Sequence, residues 1–257
     1  MITWLETGSP FPHPSAALHQ PNGLLAAGGD LSPERLLSAY RQGIFPWFSE
    51  GEPTLWWSPN PRMVLYPKEF HPSRSLLKTL RNGDYEVRID HDFSAVIASC
   101  AAPREGQAST WINAEMVKAY ERLHLLGYAH SFETWSAGKL VGGLYGVAMG
   151  GLFFGESMFS RRTDASKIAF SHLVAHLLLN NFHVLDCQMH TDHLSYLKAR
   201  EIPRKEFLQE VARYRDQPFH LGPWTMHKNG ARDQLWRMNT APSSSLAELE
   251  SCNDIDE

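Results

Sequence analysis

The chain has 257 residues, of which 43% are hydrophobic, so it can hold one large domain or two modest ones around a real core. It carries no apolar run near the roughly 18–20 residues of a membrane span, and its start, MITWLETGSPFPHP, lacks the basic-then-apolar order of a signal peptide. Three scattered cysteines (Cys100, Cys187, Cys252) exclude a disulfide framework and point to a reducing, cytoplasmic setting, and the net charge of −4 at first argues against nucleic acid.

That net charge hides an asymmetry. Residues 241–257 hold five acids and no base, and without them 24 Lys and Arg face 23 of the 28 acids. Two stretches, 62–88 and 198–215, each carry six bases against three acids. Such runs are either solvated helix faces or RNA contacts.

The first sixty residues are rich in Pro, Gly and Trp and read as a small N-terminal domain, 1–61, with few strands of its own. One helix stands out there: Ser32 as N-cap, Pro33 at the first position, Glu34 in the first turn and Gly43 beyond the end. Leu36, Leu37 and Tyr40 give it an apolar stripe. GIFPWF and TLWWSPNPR then form an aromatic loop broken by prolines.

From residue 62 the texture changes to an α/β domain, 62–225. RMVLY and YEVRI read as strands, with a capped helix over 73–81 between them. Helices follow at 92–100 and after Asn113, the latter with Met116, Val117, Tyr120 and Leu123 on one face. AHSFETW, KLVGGLYGVAM and GLFFGE read as strands, with Gly150-Gly151 as a hairpin turn. SMFSRRTDAS (157–166) is a loop, 165–180 an apolar helix, HVLDCQM (183–189) a buried strand, and 193–200 and 204–215 closing helices. Parallel-type and hairpin-type connections together imply a mixed sheet. The extension 226–257 lacks periodicity, and its last fifteen or so residues read as disordered.

Three polar residues stand out among apolar ones. Side chains alternate along a strand, so Asp186 and Gln188 share one face while Leu185, Cys187 and Met189 share the other. Buried, they need partners, because an unpaired polar group costs roughly 1–3 kcal/mol. The glycine-rich hairpin delivers a third such group, Glu156, to the end of its strand. Cys187 points away from the acid beside it and is no nucleophile. The histidines show no metal-ligand spacing, so neither metal nor cofactor is expected. The loop entering the 165–180 helix carries Met158, Phe159, Arg161 and Arg162 where a pyrophosphate cradle would place glycines. Trp47, Trp56, Trp57 and Trp111 sit in loop contexts that suit base stacking or, for Trp56 and Trp57 above all, packing between domains.

The segments NGLLAAGGDLSPERLLSAYRQGIFPWFS (22–49), LWWSPNPR (55–62), TWI (110–112), VGGLYGV (141–147), GLFFGESMFSR (151–161), ASK (165–167), DCQ (186–188) and EIPR (201–204) occur in this order. Together they resemble the bacterial leucyl/phenylalanyl-tRNA–protein transferases, over roughly residues 11–215. The resemblance implies an acyltransferase domain of the Gcn5-related N-acetyltransferase type behind the small N-terminal domain. It implies transfer of Leu, Phe or Met from aminoacyl-tRNA to the N-terminal Arg or Lys of a protein, marking that protein for degradation through the N-end rule. It makes Asp186, Gln188 and Glu156 the candidate centre. Trp47 and Trp111 become candidates for the 3′-terminal adenosine, and Leu144 and Met158 for the donor side-chain pocket. Arg74, Lys78 and Arg81, from the first basic stretch, are candidates for tRNA contact. One departure is Lys198, where the family commonly has a glycine that ends a helix in the left-handed conformation.

The expected reaction is aminolysis of an activated ester without a covalent enzyme intermediate. Asp186 is expected to orient the attacking amine and take its proton as the bond forms, with Gln188 holding that arrangement or donating to developing charge, and Glu156 facing the cationic acceptor or positioning the amine. A monomer and no membrane contact are expected. The rival readings are an acetyl-CoA-dependent N-acetyltransferase and a non-catalytic tRNA-binding module.

Overall fold

The computed structural model describes residues 2–103 and 111–226. The acidic end of the chain, expected to be disordered, lies outside them.

The N-terminal part holds more strand than its prolines led one to expect. Thr3–Leu5 (β1), Leu24–Gly28 (β2), Phe45–Pro46 (β3) and Leu55–Trp57 (β4) form a mixed four-stranded sheet in the order β1-β2-β4-β3. The strands are too short to show alternation, which is why the aromatic run read as loop. Trp56 is buried in this sheet, its Nε1 donating to the Gly28 carbonyl at 2.9 Å. The helix Pro33–Tyr40 (α1) is capped by Ser32, whose hydroxyl accepts from the Arg35 backbone N–H.

The rest builds a seven-stranded mixed sheet. In chain order come Arg62–Leu65 (β5), Arg74–Asn82 (α2), Glu86–Ile89 (β6), Phe93–Ala101 (α3), Ala114–Leu125 (α4), Ala129–Ser136 (β7), Lys139–Met149 (β8), Leu152–Ser160 (β9), Ala165–Leu179 (α5), Val184–Gln188 (β10), Asp192–Tyr196 (α6), Arg200–Ile202 (β11) and Arg204–Tyr214 (α7). The sheet order is β11-β5-β10-β9-β8-β7-β6, with only β9 and β10 parallel. Side chains on its two faces enter two cores. One is shared with α3, α4, α1 and the N-terminal sheet. The other is shared with α2, α5 and Trp224 of the returning C-terminal segment.

Two boundaries differ from the sequence reading. The segment 157–160 is not loop: β9 runs on to Ser160, because Met158 and its neighbours pair with the glycine-rich start of β8. The segment 193–200 is not one helix: α6 stops at Tyr196, and Arg200–Ile202 pairs antiparallel with β5. The chain turns there through Lys198, which sits in the left-handed region at φ 73°.

Glycine is required at two places in β8. A Cβ on Gly142 would lie 2.5 Å from that of Ala165, so its absence lets the start of α5 close onto the strand. A Cβ on Gly146 would lie 2.3 Å from the Phe154 carbonyl oxygen, at the β-bulge where the β8–β9 register shifts. That shift leaves Glu156 as the extra residue of β9, between Gly155 and Ser157, and so helps aim it.

Lys198 is exposed and its left-handed backbone costs an L-residue about 1–2 kcal/mol, partly offset by the unfolded-state entropy of glycine. Lys198→Gly is therefore expected to stabilise the protein by about 0.5–1 kcal/mol in urea denaturation. A destabilised variant would contradict this account of the turn.

Candidate active site at the parting of two strands

β10 pairs with β9 only over Val184–Asp186 against Leu152–Phe154. Beyond that the two parallel strands separate. β10 is also irregular there, shifting register against β5 between Asp186 and Gln188, with Gln188 at φ 63°. A cavity of about 840 Å³ opens at this parting. Leu144 and Met158, paired across β8 and β9, line it together with Leu185 of β10 and Phe170 and Leu173 of α5. Glu156, Gln188, Thr191 and His193 line its polar part.

Asp186 is held beneath this cavity and does not line it. Its Oδ1 accepts from Arg62 Nε at 2.8 Å and its Oδ2 from Arg62 Nη2 at 2.6 Å, a bidentate pair with both residues buried. The guanidinium lies between the rings of Phe45 and Phe207, 4.7 and 4.6 Å from their centroids. Asp186 Oδ1 also accepts from the Gln188 backbone N–H at 2.9 Å. The bulge makes that bond, so Gln188 does not simply repeat the direction of Asp186 as plain alternation predicts. It turns into the cavity and donates through Nε2 to Glu156 Oε1 at 3.0 Å.

Glu156 is buried among hydroxyls. With the carboxyl ionised, Tyr40 of α1 donates to its Oε1 and Tyr120 of α4 to its Oε2, each at 2.8 Å, and the two phenol oxygens lie 2.6 Å apart. Burial pushes the Glu156 carboxyl up to about 8, against the opposing effect of the two tyrosine bonds. Burial, and next the Glu156 charge, hold the phenols of Tyr40, Tyr120 and Tyr145 well above their usual range. Burial likewise raises the Cys187 thiol, which agrees with its exclusion as a nucleophile.

The three residues singled out as a centre are thus joined by one chain of bonds, Arg62–Asp186–Gln188–Glu156. The pocket pair Leu144 and Met158 faces the same cavity. Trp47 and Trp111 do not line it: both are partly buried against the first core, Trp47 packed on Trp57 with centroids 5.3 Å apart. Arg74, Lys78 and Arg81 are exposed on α2. The start of that helix meets α6 through Ser73 Oγ and the Tyr196 hydroxyl, 3.0 Å apart, and α6 carries the cavity residues His193 and Leu194.

Sequence reasoning missed three residues. Composition places Arg62 among surface cations, and helix periodicity makes Tyr40 and Tyr120 apolar stripe residues. All three are fully buried. The signal was present for Arg62, which stands between a proline and an apolar strand, and a charge so placed must be paired. Nothing in the spacing of the tyrosines distinguishes a hydroxyl with a task from a ring with none.

The entry to α5 is closed to an anion. Ala165 N–H donates to the Arg162 carbonyl at 3.1 Å and Ser166 N–H to Ser160 Oγ at 3.3 Å. The Asp164 carboxylate, paired with Lys167 at 2.8 Å, stands at the helix start.

Comparison with known proteins places the chain in a family. A family model described as leucyl/phenylalanyl-tRNA protein transferase matches residues 64–212, and the model of that family's N-terminal domain matches 29–60. The leucyl/phenylalanyl-tRNA–protein transferase of Chromobacterium violaceum is 59% identical over 88% of this chain and 97% of its own. That of Nitrosospira multiformis is 61% identical over 82% and 91%. The chain belongs to this family. Among solved structures, L-PGS from Bacillus licheniformis overlaps at a TM-score of 0.41 with 11% identity, over 76% of this chain and 74% of that one, too distant to bear on the fold. Asp186, Gln188, Glu156, Leu144, Met158 and Tyr120 fall within 64–212 and Tyr40 and Trp47 within 29–60, while Arg62 lies between the two matched ranges.

The raised Glu156 carboxyl makes stability depend on pH. Unfolded, it titrates near 4.5, and folded, at about 8. Between those values the folded state holds the extra proton, so this group's contribution falls as pH rises through that window. Glu156→Gln removes the titration. The melting temperature of the natural protein minus that of the variant is expected to fall from about pH 5 to about pH 9. A difference independent of pH would contradict the raised value.

Proposed function

We propose that the chain, whose family name describes leucyl and phenylalanyl transfer from tRNA to protein, transfers Leu, Phe or Met from aminoacyl-tRNA to the N-terminal Arg or Lys of acceptor proteins, marking them for degradation. The observation that carries this reading is the junction of an apolar cavity with the Gln188–Glu156 edge. The cavity suits an apolar side chain without a branch at Cβ, and the edge supplies the polar groups for the bond that changes.

In this reaction the peptide α-amine attacks the ester carbonyl carbon. The C–N bond forms, the bond to the ribose oxygen breaks, and the proton lost by the amine passes to that oxygen. An N-terminal amine has a pKa of about 7.7–8.0, so roughly a tenth is neutral at pH 7 and no strong base is needed. Gln188 commits its amide nitrogen to Glu156, which leaves its carbonyl oxygen to accept from the attacking amine. Asp186 is a positioning residue: it fixes the Gln188 backbone and is itself fixed by Arg62. This moves the amine-orienting role from Asp186, where the sequence placed it, to Gln188.

Leu144 and Met158 form the wall that meets the donor side chain. Such a wall discriminates by about 1–3 kcal/mol per methylene, which accommodates Leu, Phe and Met together and disfavours branching at Cβ. Trp47 and Trp111 are assigned to the 3′-terminal adenosine, and Arg74, Lys78 and Arg81 to the acceptor stem, on the exposed side of α2. The domain division at residues 61 and 62, the Gcn5-related type of the acyltransferase domain, the monomeric state and the cytoplasmic setting belong to the same reading. Among the described residues, no helix is long and apolar enough to cross a membrane. The closed entry to α5 disfavours acetyl-CoA, whose pyrophosphate needs free backbone N–H groups.

The test supplies labelled Leu-tRNA with a peptide bearing N-terminal Arg, and with N-terminal Ala as control. Label is expected on the first peptide only, and label on neither would end this reading. Gln188→Ala is expected to slow transfer by about 10²–10³. Leu144→Phe, which fills the pocket, is expected to lower Phe transfer relative to Leu about tenfold or more; an unchanged ratio would remove Leu144 from the pocket.

A further inference from the structure

Tyr40, Tyr120 and the Glu156 carboxyl form a closed triangle. Its three oxygen–oxygen contacts are Tyr40 to Tyr120 at 2.6 Å, Tyr40 to Oε1 at 2.8 Å and Tyr120 to Oε2 at 2.8 Å. Each is a hydrogen-bond distance, and each hydrogen bond needs its own proton. Two phenols supply two. With Glu156 ionised, both protons point at the carboxylate and the shortest contact, between the phenol oxygens, has none. Two lone-pair oxygens would then face each other at 2.6 Å in a water-excluded core. A third proton on the carboxyl closes the circuit.

We propose that Glu156 rests as the neutral carboxylic acid, closing a three-proton ring with Tyr40 and Tyr120, and that this ring positions Gln188 while keeping the attack point free of negative charge. The ring has a direction. Oε1 already accepts from Gln188 Nε2, so it is the carbonyl oxygen, and the proton sits on Oε2. Oε2 then donates to Tyr120, the reverse of that bond's direction with an ionised carboxylate, Tyr120 donates to Tyr40, and Tyr40 back to Oε1. The charged and titratable groups around the ring agree with this state. Asp186 of β10 disfavours a second negative charge, and Arg62 of β5, which favours one, is already paired with Asp186. Tyr145 of β8 stands close by, its hydroxyl buried without a partner among the described residues and unable to offer a compensating charge. Desolvation outweighs the remainder, in keeping with the raised carboxyl.

This inference rests on the aminoacyl-transfer reading and adds a reason for the ring. A carboxylate beside the attacking nitrogen would hold it as an ammonium ion, because a nearby negative charge favours the protonated form. An ammonium ion has no lone pair to attack with. A neutral acid gives Gln188 the same acceptor without that effect, and with Arg62 and Asp186 cancelling, the attack point carries no net charge. Tyr40 and Tyr120 are therefore positioning residues for the reaction. Under this proposal Glu156 takes the second of its two expected roles, positioning the amine through Gln188, rather than facing the cationic side chain of the acceptor.

Infrared difference spectroscopy of the full chain between about pH 6 and pH 10 tests the protonation state without any transfer assay. A protonated-carboxyl carbonyl band is expected at the lower pH, absent from Glu156→Gln and lost on titration to the higher pH. Tyr40→Phe removes a donor to Oε1, so the band is expected to shift to higher frequency, and kcat to fall about fivefold with the peptide KM unchanged. No Glu156-dependent band at pH 6, or a band that Tyr40→Phe leaves in place, overturns the ring. If the band behaves as expected but no peptide is labelled, the ring stands and the transfer reading fails.

Discussion

The buried pair of Arg62 and Asp186 is the constraint on which the rest of the site depends. Neither side chain reaches solvent, and their two short bonds fix the end of β5 to the end of β10. Taking two charges out of water costs several kcal/mol each, so such a pair is a poor source of stability, yet losing one partner typically costs about 3–5 kcal/mol. Its value here is geometric. Phe45 from the N-terminal sheet and Phe207 from α7 sandwich the guanidinium, so one side chain brings together three distant parts of the chain. The matched motifs meet at the same place. Arg204, the last residue of EIPR, donates its backbone N–H to Asn60 and its guanidinium to the Ser58 carbonyl, bracing the SPNPR turn that delivers Arg62.

With Asp186 pinned, the bulge that follows has a fixed starting point. The backbone N–H of Gln188 bonds the Asp186 carboxylate, and its side chain is thrown toward Glu156. The same departure from regular pairing ends the β9–β10 ladder after three residues and opens the cavity between strands that would otherwise be closed. The polar edge and the apolar pocket thus have one cause, which explains why Leu144 and Met158 on one side and Gln188 on the other address a single space.

Much of this was legible in the sequence and some was not. Capped helices such as α1, α2 and α4 start where Ser32, Ser73 and Asn113 put them, because a cap is a local rule. Period-two alternation found Asp186 and separated it from Cys187, but it could not find the bulge, which arises from pairing with β5 and β9 rather than from local pattern. Strands of two or three residues in the N-terminal sheet, and β11, carry too little period to read. Lys198 was legible as an anomaly, since the turn it occupies takes a left-handed residue. The hardest features were Arg62, Tyr40 and Tyr120. Their roles depend on where other segments lie, and composition reads them as surface charge and apolar stripe.

The central claim is that the acyl group of the donor enters the cavity between Leu144 and Met158 with its carbonyl beside Gln188. The most direct measurement is a crystal structure with a 3′-leucyl-adenosine analogue in which an amide replaces the ester. The account predicts the leucyl side chain against Leu144, Met158, Phe170 and Leu173, and the acyl carbonyl within reach of the Gln188 amide. A leucyl group bound elsewhere, with this cavity empty, would contradict it.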